Sequence, residues 1–149
     1  MNLNRQRQIA RRFDKMYVEG ITPWRDHPST TLRTDSPSTL FKFITLLKKE
    51  KPKAKILDIG CGDGWISIRI AKEGFEVWGI DSSPTAIASA KKEAVRQNLQ
   101  NKTHFQVGNA LGLPYRDSFF DALIDRGLLH HILPENRPLY LKNILHVLK

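Results

Sequence analysis

Cysteine is almost absent from this sequence of 149 residues, and long apolar runs are absent altogether. The single cysteine, Cys61, has no second cysteine for an intramolecular disulfide, and a structural zinc site is disfavoured for the same reason. No apolar segment approaches the roughly 18 residues that a transmembrane helix needs. The polar start MNLNRQRQ also lacks the apolar core of a signal peptide. We therefore expect a cytoplasmic protein with no bound metal and no membrane partner.

Acidic residues are scarce beside basic ones, with 15 Asp and Glu against 24 Lys and Arg and a formal net charge of +9. Residues 1–55 carry 13 basic and 5 acidic side chains, whereas residues 56–149 carry 11 and 10. The excess charge therefore belongs to the N-terminal third of the chain. This basic region keeps nucleic acid as an alternative partner, although an arginine-rich helix is more often a solvated face.

Glycine and proline, at 9 and 8 residues, are too few for a collagen-like or low-complexity chain. The chain is long enough for one domain with a sizeable core. Hydrophobic periodicity divides it into a helical N-terminal segment, residues 1–52, and a core of alternating strands and helices, residues 53–149. In the first segment we predict helices at residues 4–17 and 37–50, the second with Ser36 as its cap and Leu40, Phe43, Ile44 and Leu47 as its apolar stripe.

The core segment alternates apolar strands with amphipathic helices. Strands are predicted at residues 55–59, 76–80, 103–107 and 122–124, and helices at residues 64–72, 84–97 and 136–148. Gly74 suits the left-handed position after the first of these helices, and Ser83 suits the cap of the second. Alternating strands and helices form parallel sheets with right-handed crossovers. We therefore predict an α/β fold with a Rossmann-like parallel sheet, helices on both faces and an N-terminal helical extension.

The stretch ILDIGCGDG at residues 56–64 places three glycines between a strand and a helix. Glycine lets the backbone turn tightly and approach a ligand at the carboxyl edge of a sheet. Asp81 ends the next strand, where a carboxylate can accept both hydroxyls of a ribose. A dinucleotide fingerprint would have glycine where Trp65 stands, which argues against NAD or FAD, whereas Asp58 suits a cationic ligand with an amino group. A nucleoside-type ligand is expected, and a purely structural tight turn is the weaker alternative.

These motifs resemble the class I S-adenosylmethionine-dependent methyltransferases over residues 53–149. The resemblance implies S-adenosylmethionine as the cofactor, with Asp81 on its ribose hydroxyls and Ser82 beside its adenine. It places Asn109 at the adenine edge, where many members have Asp. Trp24 either closes over the cofactor or anchors its loop in the core, and Cys61 fits a small packing residue of the loop better than a nucleophile. The predicted cofactor-binding residues are Asp58, Gly60, Cys61, Gly62, Gly64, Asp81, Ser82, Asn109, Ala110, Asp125 and Trp24.

The segment DRGLLHH at residues 125–131 occupies the position where cofactor and acceptor meet in the resembled family. It lacks the Asn/Asp-Pro-Pro-aromatic motif of enzymes that methylate adenine and cytosine amino groups, which favours a small-molecule acceptor. Together with TPW at residues 22–24, it resembles the thiopurine-methyltransferase-like group. His130 and His131 are candidate general bases. Packing near the last helix is an equal alternative for them, because methyl transfer needs mainly alignment and exclusion of water.

In the resembled family, a segment like HVLK at residues 146–149 is followed by Pro-Gly-Gly and three further strands. The strand order would be 3-2-1-4, which leaves Ala122, Leu123 and Ile124 on an edge strand. We therefore expect a truncated methyltransferase whose edge strand pairs in a homo-oligomer or is otherwise shielded. RNA or protein methylation, and a non-catalytic S-adenosylmethionine-binding or assembly module, are the alternative functions.

Overall fold

The computed structural model describes residues 2–23 and 38–149. The helices are α1 (Leu3–Val18), α2 (Ser38–Glu50), α3 (Trp65–Lys72), α4 (Pro84–Arg96) and α5 (Arg137–Val147). The strands are β1 (Lys55–Ile59), β2 (Glu76–Asp81), β3 (Thr103–Val107) and β4 (Ala122–Asp125). Two short 3-10 turns, Leu129–His131 and Pro134–Asn136, lie between β4 and α5. No helix in these two ranges has the length and apolar character to cross a membrane.

The four strands form one parallel sheet in the order β3-β2-β1-β4, which confirms the predicted fold and strand order. Neighbouring β1 residues point to opposite faces, and both faces are buried. Ile56 joins a core with α2 and α3, whereas Leu57 joins a core with α5. A strand covered on both sides has no polar face, which is why β1 is almost continuously apolar.

The helix ends follow from local chemistry. The Ser83 side chain accepts a hydrogen bond from the Ala86 N–H at 3.0 Å and caps α4, with Pro84 in the first turn. Gly74 follows α3 with φ of +101°, the left-handed conformation that glycine adopts readily. Both features agree with the sequence prediction.

The apolar stripe of α2 is not buried across its whole width. Ile44 is buried in the core, with Leu40 and Leu47 packed against the same cluster. Phe43, which also belongs to the predicted stripe, is 41% exposed. At 100° per residue it lies at the margin of the stripe. Ser36, the predicted cap, lies outside the described residues.

Strand β4 pairs with β1, and its other edge has no strand partner among the described residues. Its side chains are nevertheless covered, because Ala122 and Ile124 are both buried in the core. Just before β4, Phe120 forms a bridge to Leu148 beyond the end of α5. The apolar side chains of this edge are therefore shielded within the chain, and pairing of its backbone with a second chain stays a prediction.

Candidate functional site

The glycine-rich loop between β1 and α3 is held in a conformation that needs glycine. Gly60, Gly62 and Gly64 have φ of +73°, +54° and +77°. A Cβ on Gly64 would lie 2.7 Å from Cζ of Phe105 and 2.8 Å from Cβ of Ala90. Both the backbone conformation and the close packing of α4 and β3 therefore exclude a larger residue at position 64.

Asp81 ties this loop to the end of β2. Its Oδ2 accepts a hydrogen bond from the Gly62 N–H at 2.9 Å, and its Oδ1 accepts one from the Ser83 N–H at 2.9 Å. Burial raises the pKa of Asp81 above its usual value, although these backbone donors lower it. Each carboxylate oxygen has further acceptor capacity, so both can receive hydrogen bonds from a ligand. The structure thus brings together the loop and the aspartate that the sequence singled out.

Asp58 lies under the loop on β1 and is 3% exposed. Its Oδ2 accepts a hydrogen bond from Oγ of Ser67 at 2.6 Å, and the backbone N–H of Ser67 also interacts with this carboxylate. Burial raises the pKa of Asp58 to about 6 against the effect of Ser67, and Asp81 and Asp125 raise it further. A buried carboxylate that no described cation pairs with is suited to a cationic ligand.

Sequence analysis did not identify Ser67 as a residue of the site. It lies in the first turn of α3 among Ile66, Ile68 and Ile70, and it is fully buried. A hydroxyl in an otherwise apolar helical stripe needs a buried partner, and this was the available signal.

Asp125 shapes the turn that follows β4. Its Oδ1 accepts a hydrogen bond from the Leu128 N–H at 2.7 Å, and its Oδ2 accepts from the Leu129 N–H at 3.1 Å and from the Tyr140 hydroxyl at 2.5 Å. Burial and the neighbouring carboxylate raise the pKa of Tyr140, so it stays a donor. Asp125 is therefore committed to the turn, and its predicted contact with a cofactor stays a prediction.

The turn after β4 packs directly on the glycine-rich loop. A Cβ placed on Gly60 would lie 3.0 Å from Cβ of Leu128. The carboxyl ends of β1, β2 and β4 therefore lie side by side at one edge of the sheet, and Asp81 and Asp125 are close enough to Asp58 to raise its pKa. We call this edge, with its three aspartates, the carboxylate cleft.

Helix α1 lies across this edge and is anchored to the turn after β4 through Gln6. The Gln6 amide donates from Nε2 to the His131 carbonyl at 3.0 Å. Its Oε1 accepts from the Leu133 N–H at 2.9 Å and from Nδ2 of Asn136 at 3.4 Å. One side chain thus engages three groups of the segment that follows β4.

The second anchor of α1 is its Asp14, which binds the start of α4. Its Oδ1 accepts from Oγ of Ser83 at 2.6 Å and from the Thr85 N–H at 3.3 Å. The hydrogen bond from Ser83 lowers the pKa of Asp14. Sequence reasoning missed Gln6 and Asp14, although both interrupt the apolar face of an amphipathic helix with polar groups.

The two histidines differ in environment. His130 is exposed, whereas His131 is half-buried with its ring centroid 4.7 Å from that of Phe13 and 4.1 Å from that of His130. Burial lowers the pKa of His131, and the neighbouring His130 lowers it further. His131 is therefore mainly neutral at pH 7, the state in which an imidazole accepts a proton.

The remaining predicted residues have varied surroundings. Cys61 is buried, and burial raises the pKa of its thiol, which agrees with a packing role. Oδ1 of Asn109, predicted to accept from adenine, already accepts a hydrogen bond from the Leu111 N–H at 2.9 Å. Ser82 is exposed beside Asp81, and Ala110 packs at the edge of the α5 core. Trp24 lies outside the described residues.

Comparison with known proteins gives a consistent result. A profile described as the methyltransferase domain matches residues 56–149. Norajmaline N-methyltransferase of Rauvolfia serpentina is 35% identical over 99 residues, covering 66% of this chain and 33% of that protein. Chloroplastic tocopherol O-methyltransferase of Arabidopsis thaliana is 38% identical over 98 residues, covering 65% of this chain and 28% of that protein. A SAM-dependent methyltransferase structure from Methanosarcina mazei superposes with a TM-score of 0.63 and 35% identity, covering 70% of this chain and 52% of that one. The chain spans about a third or less of these curated relatives.

Proposed function

The chain belongs to the methyltransferase domain family, and on that premise we propose that it binds S-adenosylmethionine and transfers its methyl group to a small-molecule acceptor. The observation that carries the proposal is the presence of two carboxylates beside the glycine-rich loop: Asp81, which the loop holds, and the buried Asp58. These carboxylates offer acceptors for ribose hydroxyls and a counter-charge for an ammonium group, and the cofactor carries both. The residues present therefore fit the cofactor.

In this proposal each residue has a separate task. Asp58 binds the amino group through its buried carboxylate, and Asp81 accepts from the ribose hydroxyls. The glycines let backbone N–H groups and the ligand approach closely, because no side chain intervenes. When bound, the cofactor supplies a sulfonium methyl, which an acceptor lone pair takes as the carbon–sulfur bond breaks and the sulfur becomes neutral.

Helix α1 and the turn after β4 close the cleft from two sides. Exclusion of water and alignment of the acceptor are the main requirements of methyl transfer. His131, half-buried under α1 beside Phe13, is the better placed of the two histidines to take the acceptor proton. His130 is exposed, which suits a rim position.

The small-molecule acceptor is supported by the relatives and by the sequence. The matched relatives are an N-methyltransferase of norajmaline and an O-methyltransferase of tocopherol. The segment at residues 125–131 has no amine-gripping motif of base-methylating enzymes. Placement in the thiopurine-methyltransferase-like group rests on this segment and on residues 22–24, and it is part of the proposal.

Calorimetry tests the cofactor site. Asp81→Asn is expected to weaken S-adenosylmethionine binding about tenfold or more, because it replaces charge-assisted hydrogen bonds to the ribose. Asp117→Asn, on an exposed aspartate that pairs with His146, is the control and is expected to bind like the wild type. In the wild type, adenosine is expected to bind more tightly than 2′-deoxyadenosine. Equal binding of the two nucleosides, or an unchanged affinity in Asp81→Asn, would contradict the ribose assignment.

RNA is the second candidate acceptor, because α1 exposes a row of basic side chains. Arg5, Arg7, Arg11 and Arg12 have no ion-pair partner in the described ranges, and Lys15 pairs with Glu19 at 3.7 Å. Phosphate contacts make affinity fall steeply with salt. Tight RNA binding that weakens steeply with salt, together with methyl transfer from labelled cofactor to that RNA, would replace the small-molecule proposal. Cofactor binding without methyl release to any acceptor would indicate a binding module.

A further inference from the structure

A groove on the outer side of α3 and α4, bordered by α2, lies apart from the carboxylate cleft. Its volume is about 820 Å³, within the range of small-molecule sites. Asp58, Gly60 and Asp81 do not line it. Its apolar wall and its basic side chains come from Phe41, Trp65, Ile68, Arg69, Lys72 and Arg96.

Aromatic rings fix the position of Arg69 in this groove. Its guanidinium carbon lies 4.4 Å from the ring centroid of Phe41 and 5.2 Å from that of Trp65. Arg126, from the turn after β4, lies 5.2 Å from the same Trp65 ring. A guanidinium stacked on a ring keeps the N–H donors of its edge for a carboxylate or similar anion. The arginine is therefore preorganised to bind an anion.

The acidic side chains of the groove are already engaged. Glu93 accepts from Nε of Arg96 at 2.7 Å and from the amide of Gln97. Glu73 pairs with Lys48 at 3.0 Å. Asp63, at the loop end, accepts from the Trp65 N–H at 3.4 Å.

The basic side chains are less fully matched. Within the described ranges, neither Arg69 nor Lys72 forms an ion pair. They lie one and two turns beyond Trp65 on α3, away from Asp63. Lys72 lies close enough to Glu93 to lower the pKa of that carboxyl, but neither basic side chain is held in a direct ion pair with a described residue. This part of the groove therefore combines an apolar wall with two basic side chains that can turn to a ligand.

We propose that this groove is a binding site for a small organic anion, with its apolar body against Phe41, Trp65 and Ile68 and its anionic group on Arg69 and Lys72. The site goes beyond the proposed methyl transfer and is separate from the cofactor cleft. It is linked to that cleft through Trp65, which directly follows Gly64 of the glycine-rich loop.

Two fluorescent probes with similar bodies test the anion requirement. Anilinonaphthalenesulfonate carries a sulfonate, and N-phenylnaphthylamine is neutral. The wild type is expected to bind the sulfonate at a single saturable site, about tenfold more tightly than the neutral probe. Equal affinity for the two probes would show a merely apolar surface and would overturn the proposal.

Paired variants locate the site. Arg69→Ala with Lys72→Ala is expected to weaken sulfonate binding about tenfold, whereas Lys91→Ala with Lys92→Ala removes two exposed charges of α4 outside the groove and should leave it unchanged. Lys72→Glu changes one exposed side chain, so it tests the charge even if the double variant unfolds. Wild-type affinity in Lys72→Glu, or equal losses in both double variants, would refute the assignment.

The cofactor cleft is tested separately. Saturating S-adenosylhomocysteine is expected to leave the sulfonate bound, because the groove and the cleft share none of the three cleft residues Asp58, Gly60 and Asp81. Competitive displacement would place the probe in the cofactor cleft and overturn the proposal. Failure of S-adenosylhomocysteine to bind would count against the proposed function and leave the groove result intact.

Discussion

Replacing Asp58 by asparagine is expected to stabilise the fold while weakening the proposed cofactor site. Asp58 is 3% exposed, and its carboxylate interacts with both the hydroxyl and the backbone N–H of Ser67. Asparagine keeps the shape and an acceptor for the Ser67 hydroxyl but removes the charge. The fold is expected to gain stability because a buried ionised group is costly and the variant no longer contains one.

The magnitude follows from the raised pKa. Burial raises the pKa of Asp58 from 3.8 to about 6, and each unit corresponds to about 1.36 kcal/mol. The native protein therefore holds a proton that the unfolded chain releases across this interval, so stability falls as the pH rises through it. Ionised Asp58 thus costs the fold about 3 kcal/mol above pH 6, and this cost is absent below the unfolded pKa.

Urea denaturation from pH 3.5 to pH 8 measures this difference. The Asp58→Asn variant and the wild type are expected to have similar stability at the acidic end, and the variant should be about 3 kcal/mol more stable at the basic end. Ser67→Ala removes a hydrogen bond that lowers the pKa, so its pH-dependent loss should extend to higher pH. Asp117→Asn, at an exposed aspartate, should shift the curve by less than about 1 kcal/mol. Parallel curves for the wild type and Asp58→Asn would refute the reasoning.

Three further predictions concern the loop, the α1 anchor and the histidines. Gly64→Ala places a Cβ 2.7 Å from Cζ of Phe105 at φ of +77°, so urea denaturation should show a loss of about 2 kcal/mol or more in the free energy of unfolding. Gly74→Ala has open space around it and should lose about 1 kcal/mol. Equal losses in the two variants would refute the steric argument. Gln6→Ala removes the acceptor of the Leu133 N–H, so hydrogen exchange at that amide should accelerate while α5 stays protected; unchanged exchange would show that Gln6 does not anchor α1. The rate of methyl release should rise with pH along an acidic limb whose midpoint lies below pH 6.5. His131→Gln should flatten this limb, and His130→Gln should not. The opposite pattern would exchange the roles of the two histidines.

The first strand was predictable because β1 is apolar on both faces. The helix ends were predictable because glycine and serine mark them. Ser83 and Gly74 stand where the sequence placed a cap and a helix end. Phe43 belongs to the predicted stripe but is 41% exposed, because helical periodicity defines the centre of a stripe and not how far neighbouring elements cover its margin. Local pattern is thus sufficient for element type, while the width of a buried face depends on tertiary packing.

The site was predictable where it depends on backbone and on strand ends. The loop and Asp81 meet because parallel strands end at the same edge of the sheet. Ser67, Gln6 and Asp14 were missed because their roles depend on contacts between segments far apart in sequence. Gln6 reaches residues more than 120 positions away, and no local pattern specifies such a partner.

The charge distribution explains why this cleft favours a cation. Burial raises the pKa values of Asp58 and Asp81, repulsion from Asp81 and Asp125 adds to the rise at Asp58, and repulsion from Asp14 adds to the rise at Asp81. The cleft without a ligand therefore bears an electrostatic cost. Asp125 already accepts hydrogen bonds from the turn after β4, and Asp14 already accepts them from the start of α4. A ligand with an ammonium or sulfonium group relieves the cost at Asp58, whereas a neutral nucleoside gains hydrogen bonds at Asp81 alone. The basic excess of the whole chain therefore does not describe its cleft, where the buried ionisable groups are acids.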